Sequence, residues 1–393
     1  MIQRRIRHGD ISVGQPLQWN VYNDKGILLL AEGGHIQTQA QLDRLLELGI
    51  YIESTQTWHQ PPESAMQQVL HAYYLLAVLL RQPQPPADFA EQVLNIARQI
   101  DSAWEQGAGV VMATVVLRHG GRYAVRHAVN TACVAAGVLR AMGPQAPERL
   151  PVLAAALTMN VGMLDLQDML ARQTEALTPS QQVRVSCHPL AGAERLRNAG
   201  VDDEVWLRAV AEHHEAIDGS GYPHHLQGKQ ISPAAQIVGL ADLFCARVSE
   251  RGYRRADSTK IVLRDVLIER GRHFDVTLAA YFIKALGVYP IGTLVRLANG
   301  EIGVVSGRTE RVDAPWVHAL LAVDGSAHSP PLRRDTHQPG LSIQDALSSM
   351  DVDIAIDMEA IWGGEARDFR LASQSLARPE ATSSPIDYSN YSI

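Results

Sequence analysis

The spacing of hydrophobic and polar positions changes several times along the chain. Near the N-terminus, "LQWNVYN" and "GILLLAEG" have the composition of strands, and "NDKG" between them is typical of a turn. In the stretch "TQAQLDRLLELGIYI", the apolar Leu42, Leu45, Leu46 and Leu48 fall on one helical stripe. The pattern therefore predicts a small α+β module over residues 1–58.

The next segment, residues 59–109, is set off by proline-rich breaks. "TWHQPPES" separates it from the first module, and "RQPQPPADF" interrupts it before "AEQVLNIARQIDSAWEQG". Its helices show no strong core of their own, so we expect them to pack on the following domain or on a second copy of the chain. We interpret the segment as a helical connector, and the second alternative would make the protein a homodimer.

From residue 110 to residue 289 the spacing is almost entirely helical, and alanine is frequent. "AVNTACVAAGVLRAM", "LPVLAAALTMN" and "AQIVGLADLFCARV" each repeat apolar residues at helical intervals. The small residues on many faces favour close approach of the helices. The pattern predicts a helical bundle, so the fold class is mainly α.

Beyond residue 289 the pattern becomes strand-like. "GTLVRLANGEIGVVSG" holds two such runs around Asn299-Gly300, a strong hairpin signal, and "WVHALLAVDG" offers another strand. We predict a small antiparallel β module over residues 290–345. Residues 346–393 are rich in Ser, Asp and Ala with little periodicity, so we expect a disordered tail there.

Composition narrows the class of protein. A chain of 393 residues is long enough for several domains. Its longest apolar run, "LLAVLL", is far too short to cross a bilayer, and "MIQRRIRHGD" lacks the apolar part of a secretion signal, so we expect a cytoplasmic protein without a membrane anchor. The net charge of -7 argues against nucleic-acid binding, which needs a basic face. The three cysteines are too few and scattered for a disulfide framework.

Five polar residues interrupt the alanine-rich helices and are candidate metal ligands. These are His127, His188, His213, His214 and Asp242. Imidazoles and a carboxylate that project from facing helices can build a metal site, and this ligand set suits Mn, Fe, Zn or Ni. Taken singly, each histidine is better explained as a core or surface residue. Taken together, adjacent histidines on an apolar helix are costly to bury unless something pairs with the imidazoles.

The loop "DGSGYPHHLQGKQIS" follows the histidine pair directly. Gly219 and Gly221 permit positive φ or close backbone approach, and Pro223 fixes φ. One interpretation is a turn that ends a helix. The other gives Tyr222, beside the candidate metal site, a role in stacking on a base or covering a ligand.

The string "HHEAIDGSGYPHHLQGKQISPAAQIVGLADLFCARVSERGYR" closely resembles the signature of the HD-GYP family, bacterial phosphodiesterases of cyclic di-GMP. The resemblance extends from about Val110 to Tyr289 and implies an HD-domain helical bundle with two or three bound Fe or Mn ions. It implies metal ligands at His127, His188, His213, His214 and Asp242. It implies ligand contacts at Gly221, Tyr222, Pro223, Arg251 and Arg254.

The chain departs from the family pattern in "TMNVGM", where the family carries the His-Asp pair of its name. Gly162 fixes the alignment, so Met159, Asn160 and Met163 stand in place of a histidine, the metal-bridging aspartate and a lysine. Ions about 3.5–4 Å apart in two-metal hydrolases repel by roughly 17 kcal/mol at an effective dielectric constant of about 20. An amide cannot offset that repulsion as a carboxylate does. Cys245 also replaces a second aspartate, and we expect one Fe or Mn ion rather than two.

Three functions remain open from the sequence. A degenerate HD-GYP domain would bind cyclic di-GMP or a related guanine nucleotide, or other signalling proteins through the Gly-Tyr-Pro loop, with impaired or absent phosphodiesterase activity. An active enzyme would hydrolyse the phosphodiester with a metal-activated water. A purely structural bundle would bind no ligand. We expect the first, because the substitutions at Met159, Asn160 and Met163 leave no catalytic set intact.

Overall fold

The computed structural model describes most of the chain beyond residue 62 and parts of the chain before it. The described residues are 2–5, 13–17, 20–22, 28–31, 33–38, 41–42, 51–54, 63–118, 121–249, 257–348, 352 and 354–368. The chain divides into two compact units. One comprises Met1–Glu63 with Asp368–Ile393, and the other is Ser64–Arg367.

The first unit contains a small antiparallel sheet. Its strands are β1 (Ile2–Arg5), β2 (Val21–Tyr22), β3 (Leu28–Leu30) and β4 (Tyr51–Ser54), in the order β1-β4-β2-β3. Strands β2 and β3 pair with each other, as the sequence pattern predicts. The turn between them, and almost all of the helix expected around Leu45, fall outside the described residues.

The second unit is built on a helical bundle, which confirms the predicted fold class. Its helices are α1 (Ala65–Leu80), α2 (Phe89–Leu117), α3 (Tyr123–Met142), α4 (Arg149–Thr158), α5 (Leu164–Arg172), α6 (Pro179–Asn198), α7 (Glu204–Glu212), α8 (Pro233–Val248), α9 (Thr259–Glu269) and α10 (Val276–Leu286). Buried residues of these helices, except α5, form one continuous hydrophobic core. Within the part of the chain that the structure describes, no helix has the length and apolarity needed to cross a membrane.

The connector helices pack on the domain that follows them. Helices α1 and α2 contribute to the same core as α3, and α2 continues past the boundary expected at residue 109. Trp104 of α2 donates its indole N–H to the Cys133 carbonyl oxygen of α3 at 2.8 Å. The first of the two packing alternatives therefore describes the connector within one chain, and the homodimer stays a prediction.

A five-stranded antiparallel sheet follows the bundle. Its strands are β5 (Leu294–Leu297), β6 (Ile302–Gly307), β7 (Trp316–Leu321), β8 (Ala327–Asp335) and β9 (Ile343–Leu347), in the order β8-β7-β6-β5-β9. Strands β5 and β6 form the hairpin predicted at Asn299-Gly300, where Gly300 has a φ of 91°. One face of the sheet packs around Val304 and Leu320 against Trp362.

Ordered structure extends beyond the module boundary expected at residue 345. Strand β9 ends at Leu347, and residues 358–362 form a short helix, α11 (Met358–Trp362). Met358 is buried in the helical core, and Trp362 donates its indole N–H to the Ser306 carbonyl oxygen at 2.9 Å. The expected tail therefore does not include residues 354–368, because a few large apolar side chains anchor a stretch too short to show periodicity. Residues 369–393 lie outside the described part of the chain.

Candidate metal centre and ligand cavity

Three histidines from two neighbouring helices meet inside the bundle. His188 lies in the middle of α6, whereas His213 and His214 follow the last residue of α7. One side-chain nitrogen from each lies within 4.8 Å of the others. His188 and His213 are buried, and His214 is half-buried. These three residues, called the histidine trio below, are arranged as metal ligands are.

Backbone contacts fix the protonation of two rings of the trio. His188 Nδ1 lies 2.6 Å from the Val185 carbonyl oxygen, and His213 Nδ1 lies 2.8 Å from that of Val210. A carbonyl oxygen only accepts hydrogen bonds, so each Nδ1 carries the proton and each Nε2 presents a lone pair. The two Nε2 atoms are 3.3 Å apart. Metal–nitrogen bonds of about 2.0–2.1 Å at ligand angles of about 90–110° separate adjacent nitrogens by roughly 2.8–3.4 Å, so the pair fits one shared cation.

The environment keeps all three imidazoles neutral. Burial, followed by the proximity of His214, lowers the pKa of His188 to about 4. Burial, followed by the neighbouring His188, lowers the pKa of His213 to about 4. Burial, followed by the neighbouring His213, lowers the pKa of His214 to about 3. Near neutral pH the trio is therefore unprotonated, which is the state that binds metal ions.

The remaining two predicted ligands form a pair beside the trio. His127 Nε2 on α3 lies 2.5 Å from Asp242 Oδ1 on α8, and the Tyr123 ring stacks on His127 with centroids 5.5 Å apart. Burial alone would raise the pKa of Asp242, but the hydrogen bond from His127 and the nearby imidazoles lower it well below its usual range. Asp242 is therefore a carboxylate, and its charge raises the pKa of every histidine in the trio. The structure thus places three of the predicted ligands in one cluster and the other two in a pair that lines the same cavity as His213 and His214.

Three glycines allow other segments to touch the backbone of the trio. A Cβ atom would lie 2.3 Å from the His188 carbonyl oxygen if placed on Gly162, 2.2 Å from the His213 carbonyl oxygen if placed on Gly239, and 2.5 Å from the His214 carbonyl oxygen if placed on Gly221. Such distances exclude any larger residue without movement of the backbone. The glycines therefore position the histidines by close packing.

The carboxylates of "HHEAIDGSGYP" shape the loop rather than enlarge the ligand set. Glu215 accepts hydrogen bonds from the backbone N–H groups of His224 and Leu226, at 2.6 and 3.0 Å. The loop folds back so that Tyr222 stacks on His214, with ring centroids 4.7 Å apart and an interplanar angle of 25°. Pro223 follows Tyr222 through a cis peptide bond. Glu215 thus holds the loop that covers the trio.

A cavity of about 970 Å³ lies beside the trio and the pair. Its wall includes His127, His213, His214 and Asp242, together with Gly221 and Tyr222 of the loop. A volume of this size lies within the range of about 300–1,000 Å³ that is usual for small-molecule sites. Four of the five predicted ligands therefore face the same space as Gly221 and Tyr222 of the loop.

Comparisons with known proteins agree with this geometry. Residues 111–278 match the family model described as HD domain. Cyclic di-GMP phosphodiesterase PA4108 of Pseudomonas aeruginosa is 29% identical over 220 residues, covering 54% of this chain and 53% of that protein. Residues 111–278 therefore form an HD domain, and the chain is similar to bacterial cyclic di-GMP phosphodiesterases.

A second relative and a solved structure are also similar to this chain. Cyclic di-GMP phosphodiesterase PdeB of Borreliella burgdorferi is 22% identical over 200 residues, covering 51% of this chain and 52% of that protein. The chain therefore spans about half the length of these two HD-GYP relatives. Among solved structures, Bd1817, an HDG"Y"P protein from Bdellovibrio bacteriovorus, has a TM-score of 0.49 and 17% identity, covering 72% of this chain and 99% of that chain.

The three residues that we predict to replace the family's histidine, aspartate and lysine occupy different environments. Met159 is fully buried and belongs to the hydrophobic core. Asn160 and Met163 line the cavity, and Asn160 Oδ1 is buried without a hydrogen-bond partner among the described residues. The cavity wall that includes His127 thus also presents a neutral amide and a thioether.

These donors fit one cation better than two. The trio and Asp242 offer three neutral nitrogens and one negative charge, which suits a single divalent ion. A second ion beside His127 would have Asn160 as its further donor, and the amide brings no charge. Glu215, another carboxylate of the cavity wall, already accepts two backbone hydrogen bonds. The histidine trio is therefore a candidate donor set for one ion.

Sequence analysis missed several residues of the cavity wall. Gln167 of α5 and the pair His273-Phe274 between α9 and α10 line it, and Tyr123 covers His127. Gln167 lies four residues after Met163, a spacing that could have placed both on one helical face. Nothing comparable marks "RHFD" in the sequence. Arg251 and Arg254, the predicted phosphate contacts of the HD-GYP domain, fall outside the described residues.

Proposed function

We propose that this HD-GYP domain binds cyclic di-GMP, or a related guanine nucleotide, and has impaired or absent phosphodiesterase activity. The observation that supports the proposal is the contrast within one cavity. The histidine trio is assembled with neutral rings, whereas the place of a bridging carboxylate is taken by Asn160, whose Oδ1 is buried without a partner among the described residues.

We assign the trio and Asp242 to a single divalent metal ion, Fe or Mn. When bound, such an ion would supply a Lewis acid for a phosphate oxygen or for a water molecule. The protein's own part is to keep His188 and His213 in the tautomer with a free Nε2. The charge of Asp242 partly neutralises the cation, and the Tyr222 ring shields His214 from the side of the loop.

We expect Asn160 and Met163 to impair hydrolysis more than ligand binding, because the two depend on different walls of the cavity. Two-metal phosphodiester hydrolysis uses paired ions to stabilise the attacking and the leaving oxygen. Asn160 supplies no charge to hold a second ion, and Met163 supplies no cation for a phosphate oxygen. We propose Gly221, Tyr222 and Pro223 of the loop as ligand contacts, and Arg251 and Arg254 as phosphate contacts.

The relatives named above are cyclic di-GMP phosphodiesterases, and this activity is the second candidate for the present chain. The convergence of the trio with an ionised Asp242 favours it, since one ion in such a site can activate a water molecule. We expect any such activity to be slow. We further propose the Gly-Tyr-Pro loop as a surface for other signalling proteins, and a cytoplasmic location.

A paired assay of binding and turnover tests the proposal. Protein saturated with Mn²⁺ or Fe²⁺ is titrated with cyclic di-GMP by calorimetry, and hydrolysis is followed by chromatography under the same conditions. We expect measurable binding with little or no turnover. Robust hydrolysis that His214→Ala abolishes would contradict the inactive assignment and establish the second candidate. His224→Ala, an exposed histidine of the same loop, is the matched control.

A further inference from the structure

One face of helix α5 forms a wall of the cavity and is apolar except at one position. Met163, Gln167, Leu170 and Ala171 all line the cavity, and their spacing places them on one side of the helix. Gln167 is the polar member of this set. A buried amide on such an apolar face is unfavourable unless it has a hydrogen-bond partner.

The Gln167 side chain has a buried oxygen atom, Oε1, without a hydrogen-bond partner in the described part of the chain. The residue is only 7% exposed. Gln173, the next cavity-lining glutamine along the chain, differs. Its Nε2 donates to the Glu175 and Ala176 carbonyl oxygens, and its amide also pairs with Gln181. Since a buried amide without a partner destabilises a fold, Gln167 calls for a partner from outside the chain.

Other parts of the cavity wall are also apolar and indicate which kind of group would fit there. Helix α8 contributes Leu240, Leu243 and Ala246 to the same cavity, and Phe274 joins them. Together with the apolar residues of α5, these side chains make a surface that favours a flat, uncharged group with apolar faces. The donor and acceptor of the Gln167 amide would meet that group at its edge.

We propose that this part of the cavity takes a nucleobase of the bound nucleotide, with the Gln167 amide paired to a base edge that presents a donor beside an acceptor. Guanine offers such an edge. The inference deepens the proposed function, on which it rests, and assigns the α5 wall to the base rather than to a phosphate. Gln167 is thereby a specificity residue that acts apart from the metal ligands.

The test is Gln167→Met, which keeps the length of the side chain and the helix propensity but removes the amide. Calorimetry with cyclic di-GMP on the Mn²⁺-loaded protein should show about tenfold weaker binding, the scale of one or two lost hydrogen bonds. The melting temperature of the free protein should stay the same or rise, because an unpartnered buried amide is removed. The affinity for Mn²⁺ should not change.

Two further variants serve as references. Gln182→Met, at an exposed position of α6, should leave binding and melting temperature as they are. Gln173→Met should lower the melting temperature, because that amide is bonded within the protein. A Gln167→Met protein with undiminished affinity, or with a lowered melting temperature, would overturn the base assignment while leaving the proposed function intact. Failure of the wild-type protein to bind cyclic di-GMP would overturn the proposed function itself, and this inference with it.

Discussion

The two sides of the candidate metal centre are both buried, but they carry different chemical groups. On one side, His188 and His213 have their tautomers fixed by backbone carbonyls, and their Nε2 atoms face each other at 3.3 Å. On the other side, Asn160 is buried as fully, but its oxygen lacks a partner among the described residues and its side chain brings no charge.

The difference shows that shape and charge in such a site are separable. Replacing a buried His-Asp pair by Met-Asn roughly keeps the volume and leaves no buried charge unpaired, so the helices can pack as before. Met159 accordingly belongs to the hydrophobic core. An asparagine in place of the aspartate that the HD-GYP resemblance predicts would therefore remove the charge for a second cation without disturbing the fold.

The largest expected effect on stability comes from substituting Gly162, which lies between the two sides. Gly162 lies between Asn160 and Met163 and touches the backbone of His188, where a Cβ atom would be 2.3 Å from the carbonyl oxygen. We expect Gly162→Ala to lower the free energy of unfolding by about 3 kcal/mol, because backbone must move on both sides. Urea denaturation measures this. Gly364→Ala, where a Cβ would meet nothing within 4 Å, is the control and should change stability by less than about 0.5 kcal/mol.

The second-largest effect should come from removing an imidazole of the histidine trio. We expect this change to weaken metal binding. We expect His213→Ala to weaken Mn²⁺ binding about a hundredfold, since it deletes one of few ligands and leaves the His188 lone pair alone. Calorimetry on chelator-treated protein gives the affinity. An unchanged affinity of His213→Ala for Mn²⁺ would contradict the assignment of the trio as metal ligands. His224→Ala is the control and should bind Mn²⁺ as the wild type does.

The depressed pKa values of the trio predict a pH dependence of stability in metal-free protein. These histidines titrate at pKa values of about 3 to 4 in the folded chain and near 6.5 in the unfolded chain. Between those limits the unfolded chain binds more protons, so the free energy of unfolding falls as the pH drops from 6.5 towards 4 and is level above 6.5. The slope is at most about 1.4 kcal/mol per pH unit for each histidine.

Urea denaturation in the presence of chelator, at several pH values from 4 to 8, measures that slope. His213→Ala should have a shallower slope than the wild type over the acidic range, and His224→Ala should not. Equal slopes for all three proteins would show that the trio is as easily protonated as histidine in water. The electrostatic part of the comparison would then be wrong.

Much of this architecture could be predicted from the sequence, and the limits have physical causes. Helical spacing predicted the bundle, and Asn299-Gly300 predicted a hairpin that the structure confirms. The anchoring of residues 354–368 could not be predicted, because Met358 and Trp362 are buried by contacts with distant segments.

The site was predictable in its residues but not in its arrangement. The five residues were each predicted as ligands, and the structure places three of them in one cluster and two in a pair. Their division into a trio with fixed tautomers and a pair depends on carbonyl oxygens one helical turn away, which no spacing of side chains reveals. Gln167 could not be predicted as a candidate site residue, because only a three-dimensional structure shows that its buried Oε1 lacks a hydrogen-bond partner among the described residues.

The number of metal ions per chain tests the central claim most directly. Purified wild-type protein, saturated with Mn²⁺ and then freed of excess metal, is analysed by plasma emission spectroscopy beside the Asn160→Asp variant. We expect about one ion per chain in the wild type and an increase towards two in the variant, whose new carboxylate supplies the missing charge. Two ions per chain in the wild type, with Asn160 unchanged, would contradict the account.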